Sequence, residues 1–285
     1  MSPVLYPRCI NKMFKKVKDS FQRRKGTSNE NGPIDPLRAD EELRSYILQL
    51  ARGKDQRLSE RINNFIKDTC KKKEKEPKDL LKKIRQFITD VKNYLYKEKQ
   101  QRLDQFQNLD VDVDIILENV FHNLITRQLS DQAYNLLLKN HKSTVDLSKL
   151  YGNVKRIQAM NMTQMGLDKK KIVTSFSMRT LKKILKCLRR MQYSWHPLKK
   201  LEHLTKCFEN IHKLTKIEGA DDLIPVFVWI LAQTETLNGV VEAEYMRLLL
   251  PPSLTHGIED FLITTLYGAS EALINFNVEF HTSRI

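Results

Sequence analysis

Apolar residues recur every three or four positions along most of this chain, and that spacing restricts it to helices. In "DLLKKIRQFITDVKNYLYKEKQQRL", Leu80, Leu81, Ile84, Phe87, Ile88, Val91, Leu95 and Leu103 share one face of a long predicted helix. The same spacing appears in "SERINNFIKDTC" through Ile62, Phe65, Ile66 and Thr69, and in "HPLKKLEHLTKCFENIHKL" through Leu201, Leu204, Phe208 and Ile211. Nine glycines and nine prolines in 285 residues are too few to punctuate a turn-rich β architecture. The expected fold is all-α: an N-terminal helical bundle packed against a layered helical domain.

Local signals divide the chain. Residues 1–36 form a basic segment and linker, residues 37–107 a helical bundle, and residues 108–280 a second helical domain. In the first segment, "CINKMFKKVKDSFQRRK" sets Phe14 among apolar residues at helical spacing, with Lys15, Lys16 and Lys18 mostly opposite. Such a helix can lie on an anionic membrane, or its apolar stripe can dock on the next domain. Asp40 is a candidate cap and Gly53 a stop, while Pro77 and Pro197 suit first helical turns. Asp110, Asp112 and Asp114 lack the glycine and final glutamate of a calcium loop, and read instead as acids at a helix start.

Charge narrows the partners. The balance is +15, from 49 Lys and Arg against 34 Asp and Glu, a field that attracts polyanions. The excess lies mainly before Leu103, whereas Glu218–Phe280 carries ten acids and only Arg247. A continuous nucleic-acid groove fits that asymmetry poorly, so no nucleic-acid partner is expected. Four scattered cysteines without a C-x-x-C pair suit free thiols in a reducing compartment. Neither a spanning apolar run nor a secretory leader is evident, and a cytoplasmic protein is expected.

Chemistry is sparse. His203 and Cys207 lie four apart on a predicted helix but lack a third ligand at a diagnostic spacing, so no metal site is assigned. Phosphate-loop, nucleophile-elbow and H-E-x-x-H patterns are missing, which favours binding over covalent chemistry. "EGADDLIPVFVWILAQT" is the informative stretch. If Asp222 caps a helix, Pro225 falls at its third residue, where no intrahelical donor is lost. Asp221 is then left outside the helix, its carboxylate either uncommitted or adding a favourable charge at the helix N-terminus. Most of the apolar residues from Leu223 onward are expected in the core, Trp229 included. Gly268 and Ala269 fit close helix packing.

"GADDLIPVFVWILAQT", followed by "EAEYMRLLLPPSLTHGIEDFLITTLYGASEALINF", resembles the catalytic core of the vacuolar protein sorting nine (Vps-nine) domain family. "PPSLTHG" and "YGASEALINF" look most like its Ras-and-Rab-interactor branch, and "DFLITTL" most like its alsin branch. The resemblance implies a guanine nucleotide exchange factor for a Rab GTPase of the early-endosomal Rab-five subfamily, recruited to early endosomal membranes. No cofactor of its own is implied, since the GTPase brings nucleotide and Mg²⁺. It further implies that Asp221 and Thr264 drive exchange, and that Pro225, Val226, Phe261 and Leu262 contact the GTPase. Phe261 departs from the family pattern, which has tyrosine there. That departure leaves open an adaptor that binds a Rab or a membrane without exchange.

Overall fold

The computed structural model describes residues 34–72, 74–166, 178–213, 220–234 and 238–276. Among these residues every regular element is helical and no strand occurs. The chain forms two compact units that divide between Ala133 and Tyr134. The break lies inside a helix, Arg127–Thr144.

In the first unit, α1 (Ala39–Gln49) runs into a wide turn, Leu50–Lys54, that ends where Gly53 takes φ +136°. Leu43, Ile47 and Leu50 are buried as the apolar spacing required. Asp40 does not cap α1, which starts at Ala39; it adds charge to the first turn. Asp55 caps α2 (Gln56–Lys71) by accepting from the Leu58 N–H at 3.0 Å. Pro77 opens α3 (Pro77–Glu98), where its missing N–H is harmless. The predicted single helix through Leu103 is in fact two. Lys99 leaves the helical region (φ −127°, ψ 21°), and α4 (Gln100–Gln107) restarts beyond it with Leu103 buried.

Asp112 caps α5 (Val113–Phe121) by accepting from the Ile115 N–H at 3.1 Å, and Asp114 sits in the first turn, as the helix-start reading expected. A wide turn, His122–Thr126, then leads into α6 (Arg127–Thr144). On α5 the carboxylate of Glu118 is fully enclosed. Arg85 of α3 donates to both its oxygens, at 2.6 and 2.8 Å, and Lys92 donates at 2.6 Å. His122 Nε2 lies 3.4 Å away. This cluster joins α3 to α5 in the interior of the unit.

The second unit contains α7 (Leu147–Gln158), α8 (Met178–Tyr193), α9 (Pro197–His212), α10 (Ala220–Ala232), α11 (Gly239–Leu249) and α12 (Ile258–Ile274). α8 packs on α9, α9 packs on α11 and α12, and α12 packs on α10 and α7. A second buried ion pair fastens it. Lys200 of α9 donates to Glu242 of α11 at 2.5 Å and to the Met191 carbonyl at the end of α8 at 2.8 Å. Tyr134 donates to the same Glu242 carboxylate at 3.0 Å. Burial pulls the Lys200 pKa down and pushes that of Glu242 up, while each partner's charge works against the shift.

Among the described residues the closest glycine contact is at Gly239, not at Gly268. A Cβ on Gly239 would meet Ser270 Oγ at 2.0 Å and Leu266 Cδ1 at 3.1 Å, whereas one on Gly268 would meet nothing within 4 Å. Gly268 is therefore no packing glycine, although Ala269 beside it is fully buried. Gly239→Ala is expected to lower unfolding stability by about 1–3 kcal/mol through overpacking between α11 and α12. Adding Ser270→Ala should recover part of that loss in urea melts.

Candidate functional site

The features singled out in the sequence converge on α10 and α12, which pack against each other. α10 is strongly apolar and enclosed on almost every side. Leu223, Val226, Phe227, Val228, Ile230 and Leu231 are all buried, and Phe227 packs on Phe208 of α9 with ring centroids 4.7 Å apart. Ile224, Pro225 and Trp229 keep part of their surface accessible. Trp229 spends its indole N–H on the Met160 carbonyl at 2.7 Å.

The start of α10 corrects the cap assignment. The helix already includes Ala220, so Asp222 lies within its first turn and Pro225 lies inside the helix. Pro225 withholds the N–H that would have bonded the Asp221 carbonyl, the loss that a cap at Asp222 would have avoided. Acids in a first turn suit the positive end of the helix, which favours helical backbone at both aspartates. The side chains of Asp221 and Asp222 lie outside the described residues, as do Phe14, Lys15, Lys16 and Lys18. Spacing therefore does not separate the roles of the two aspartates.

α12 starts after a turn in which Gly257 takes φ +80°, a conformation that suits glycine. Phe261, Thr264 and Gly268 are three and four apart and line one accessible face. Thr264 is exposed, and its hydroxyl accepts from Arg247 Nη2 of α11 at 2.8 Å. Arg247 also lies 3.9 Å from Asp260 and over the Tyr267 ring. Thus the only Lys or Arg of the acidic region is placed beside Thr264, a role that its isolation in the sequence did not reveal.

Two expected contact residues belong elsewhere. Val226 is 0% exposed and Leu262 is 6% exposed. Both side chains are buried where α10 and α12 pack on their neighbours. Pro225, Phe261 and Thr264 remain accessible.

Residues that sequence reasoning missed hold the two helices in place. Asn153 of α7 donates to the Leu273 and Ile274 carbonyls that end α12, at 3.1 and 2.9 Å. Gln158 donates to the Ala232 carbonyl that ends α10, at 2.8 Å. All three are helix-terminus carbonyls without intrahelical donors, so α7 satisfies them from outside. Among the described residues no three His, Cys, Asp or Glu side chains gather as a metal site. No described helix is long and apolar enough to cross a membrane.

Residues 181–278, which include α10, α11 and α12, match the vacuolar sorting protein 9 (VPS9) domain, and residues 42–132 match the RIN1-like domain. Residues 181–278 thus carry a VPS9 domain, in agreement with the resemblance carried by "GADDLIP" and "PPSLTHG". Protein sprint of Drosophila melanogaster is 30% identical over 272 residues, covering 89% of this chain and 14% of that protein. Ras and Rab interactor 2 of Mus musculus is 31% identical over 209 residues, covering 70% of this chain and 22% of that protein. ALS2 C-terminal-like protein of Mus musculus is 28% identical over 92 residues, or 30% of this chain and 10% of that protein. Both branches named from the sequence are therefore represented. The chain spans a quarter or less of each of these relatives' length.

Proposed function

We propose that this chain is a guanine nucleotide exchange factor for a Rab GTPase, and more narrowly for one of the Rab-five subfamily. The observation that carries the proposal is the packing of α10, with two aspartates in its first turn, against α12, whose Thr264 face is exposed, within the span matched to the VPS9 domain. The name of the Ras and Rab interactors supports the GTPase class.

A GTPase holds its nucleotide through a phosphate-loop lysine and a Mg²⁺ ion bridging the β- and γ-phosphates. The carboxylate of Asp221 enters that site, repels the phosphate oxygens and pairs with the lysine once they leave. This stabilises the empty GTPase relative to the loaded one. Thr264, held by Arg247, offers a hydroxyl on the neighbouring helix, while Pro225 and Phe261 supply apolar contact. The chain performs no covalent chemistry and needs no cofactor of its own. Its basic N-terminal half assists recruitment to anionic early endosomal membrane.

Fluorescent-GDP release across a panel of Rab GTPases tests the proposal. Acceleration confined to Rab-five members supports it; no acceleration of any member overturns it. Phe261 favours a second reading, an adaptor that binds without exchange, because the family tyrosine's hydroxyl is missing. Phe261→Tyr is expected to raise exchange by a few-fold to about tenfold, the equivalent of one hydrogen bond of ~0.5–1.5 kcal/mol. Binding without nucleotide release in both forms would establish the adaptor.

A further inference from the structure

α8 carries a charge pattern that neither the core nor the candidate site requires. Arg179, Lys182, Lys183, Lys186, Arg189 and Arg190 are all exposed, and their spacing places them on one stripe. The stripe is about 17 Å long at the rise of an α-helix. The helix contains no acidic residue among its 16. Among the described residues, none of the six has a carboxylate at ion-pair distance.

The stripe differs from an ordinary solvated face. α3 is also lysine-rich, but it intersperses Asp79, Asp90 and Glu98. On α8, cations three and four apart repel one another along the helix without relief. The opposite face is firmly committed, with Leu181, Ile184, Leu188 and Met191 buried against α9. Lys199 extends the field onto α9. The His203 pKa is lowered first by burial, then by Lys206, Arg190 and Lys199, with Glu202 opposing. Glu202 itself pairs with Lys206.

We infer that this face of α8 is a docking surface for an anionic phospholipid bilayer. A straight row of cations on one helix matches a plane of headgroups, each residue adding a similar increment of attraction. The row is bracketed by two exposed apolar side chains, Met178 at 69% and Tyr193 at 76%. Tyrosine with its ring in the interface and its hydroxyl in water is a common membrane-boundary side chain. A nucleic-acid surface would place base-reading or stacking side chains among the cations, and here they stand only at the ends. The stripe lies on a different helix from Asp221 and Thr264, and the inference stands independently of the exchange reading.

The test is sedimentation of the full chain with vesicles of phosphatidylcholine alone or mixed with phosphatidylserine. Binding is expected only to the mixed vesicles and should weaken with salt. Lys182→Gln, Lys186→Gln and Arg190→Gln together should reduce it about a hundredfold, at roughly fivefold per residue. Tyr193→Ser should reduce it by an amount that salt does not change. GDP release measured without vesicles should be unaffected, which separates failure here from failure of the exchange proposal. Three results would overturn the inference. The triple variant binds like the parent, all binding is lost with Lys15→Gln, Lys16→Gln and Lys18→Gln while the stripe variant keeps it, or the stripe binds a single-stranded RNA more tightly than the vesicles.

Discussion

Asp221→Ala is expected to slow GDP release from a Rab-five GTPase by about a hundred- to a thousandfold. A close interfacial charge pair couples by ~1.5–7 kcal/mol, and a value near 3–4 kcal/mol corresponds to that loss. Asp222→Ala provides the contrast. If that residue acts only as a first-turn acid, its removal costs about 0.3–1 kcal/mol of helix-start stability and a few-fold in rate at most. Measuring both variants against fluorescent-GDP release assigns the roles that helix geometry leaves unseparated. Full activity in Asp221→Ala would remove the carboxylate mechanism; an inverted pattern would transfer it to Asp222.

Glu118→Ala should produce the largest loss of stability, about 3–5 kcal/mol, because it removes the enclosed carboxylate that Arg85 and Lys92 share, leaving Asp114 as the carboxylate on Lys92. Burial alone would raise the Glu118 pKa. Hydrogen bonds and charge from His122 and Arg85 outweigh it and hold the carboxyl well below the usual carboxylate range. A carboxyl with a depressed folded-state pKa contributes its stability above its ordinary value of 4.5 and loses it as pH falls through the lower, folded value. The cluster therefore remains intact at neutral and mildly acid pH. Urea unfolding of Glu118→Ala, Arg85→Met and the double variant measures the coupling. The double variant should be less damaged than the sum of the two, since each single change already removes the bidentate Arg85–Glu118 pair.

The helices were legible because burial on one face writes a period of three to four into the chain. Pro77 and Pro197 at helix starts, the acids around Asp112 at another and Gly53 as a stop came from backbone chemistry alone. The break at Lys99 was not legible, since neither glycine nor proline marks it. Val226 misled for a different reason. A helix enclosed by neighbours on nearly every side has no polar face to separate core from contact, so α10 offered no pattern to divide. Partnerships across the chain were also silent. Arg85 and Glu118 stand 33 residues apart, and Lys200 and Glu242 stand 42 apart, and nothing local links them. Arg247 was visible as an isolated cation, but only the packing of α11 on α12 sets it beside Thr264.

The enclosure of α10 bears on how force passes through an exchange complex. If Asp221 enters the nucleotide site as proposed, a shaft seated this deeply behind it is a poor spring, and the GTPase does most of the yielding. Linkage then makes the effect mutual: however strongly the carboxylate loosens nucleotide, returning nucleotide expels it by the same factor.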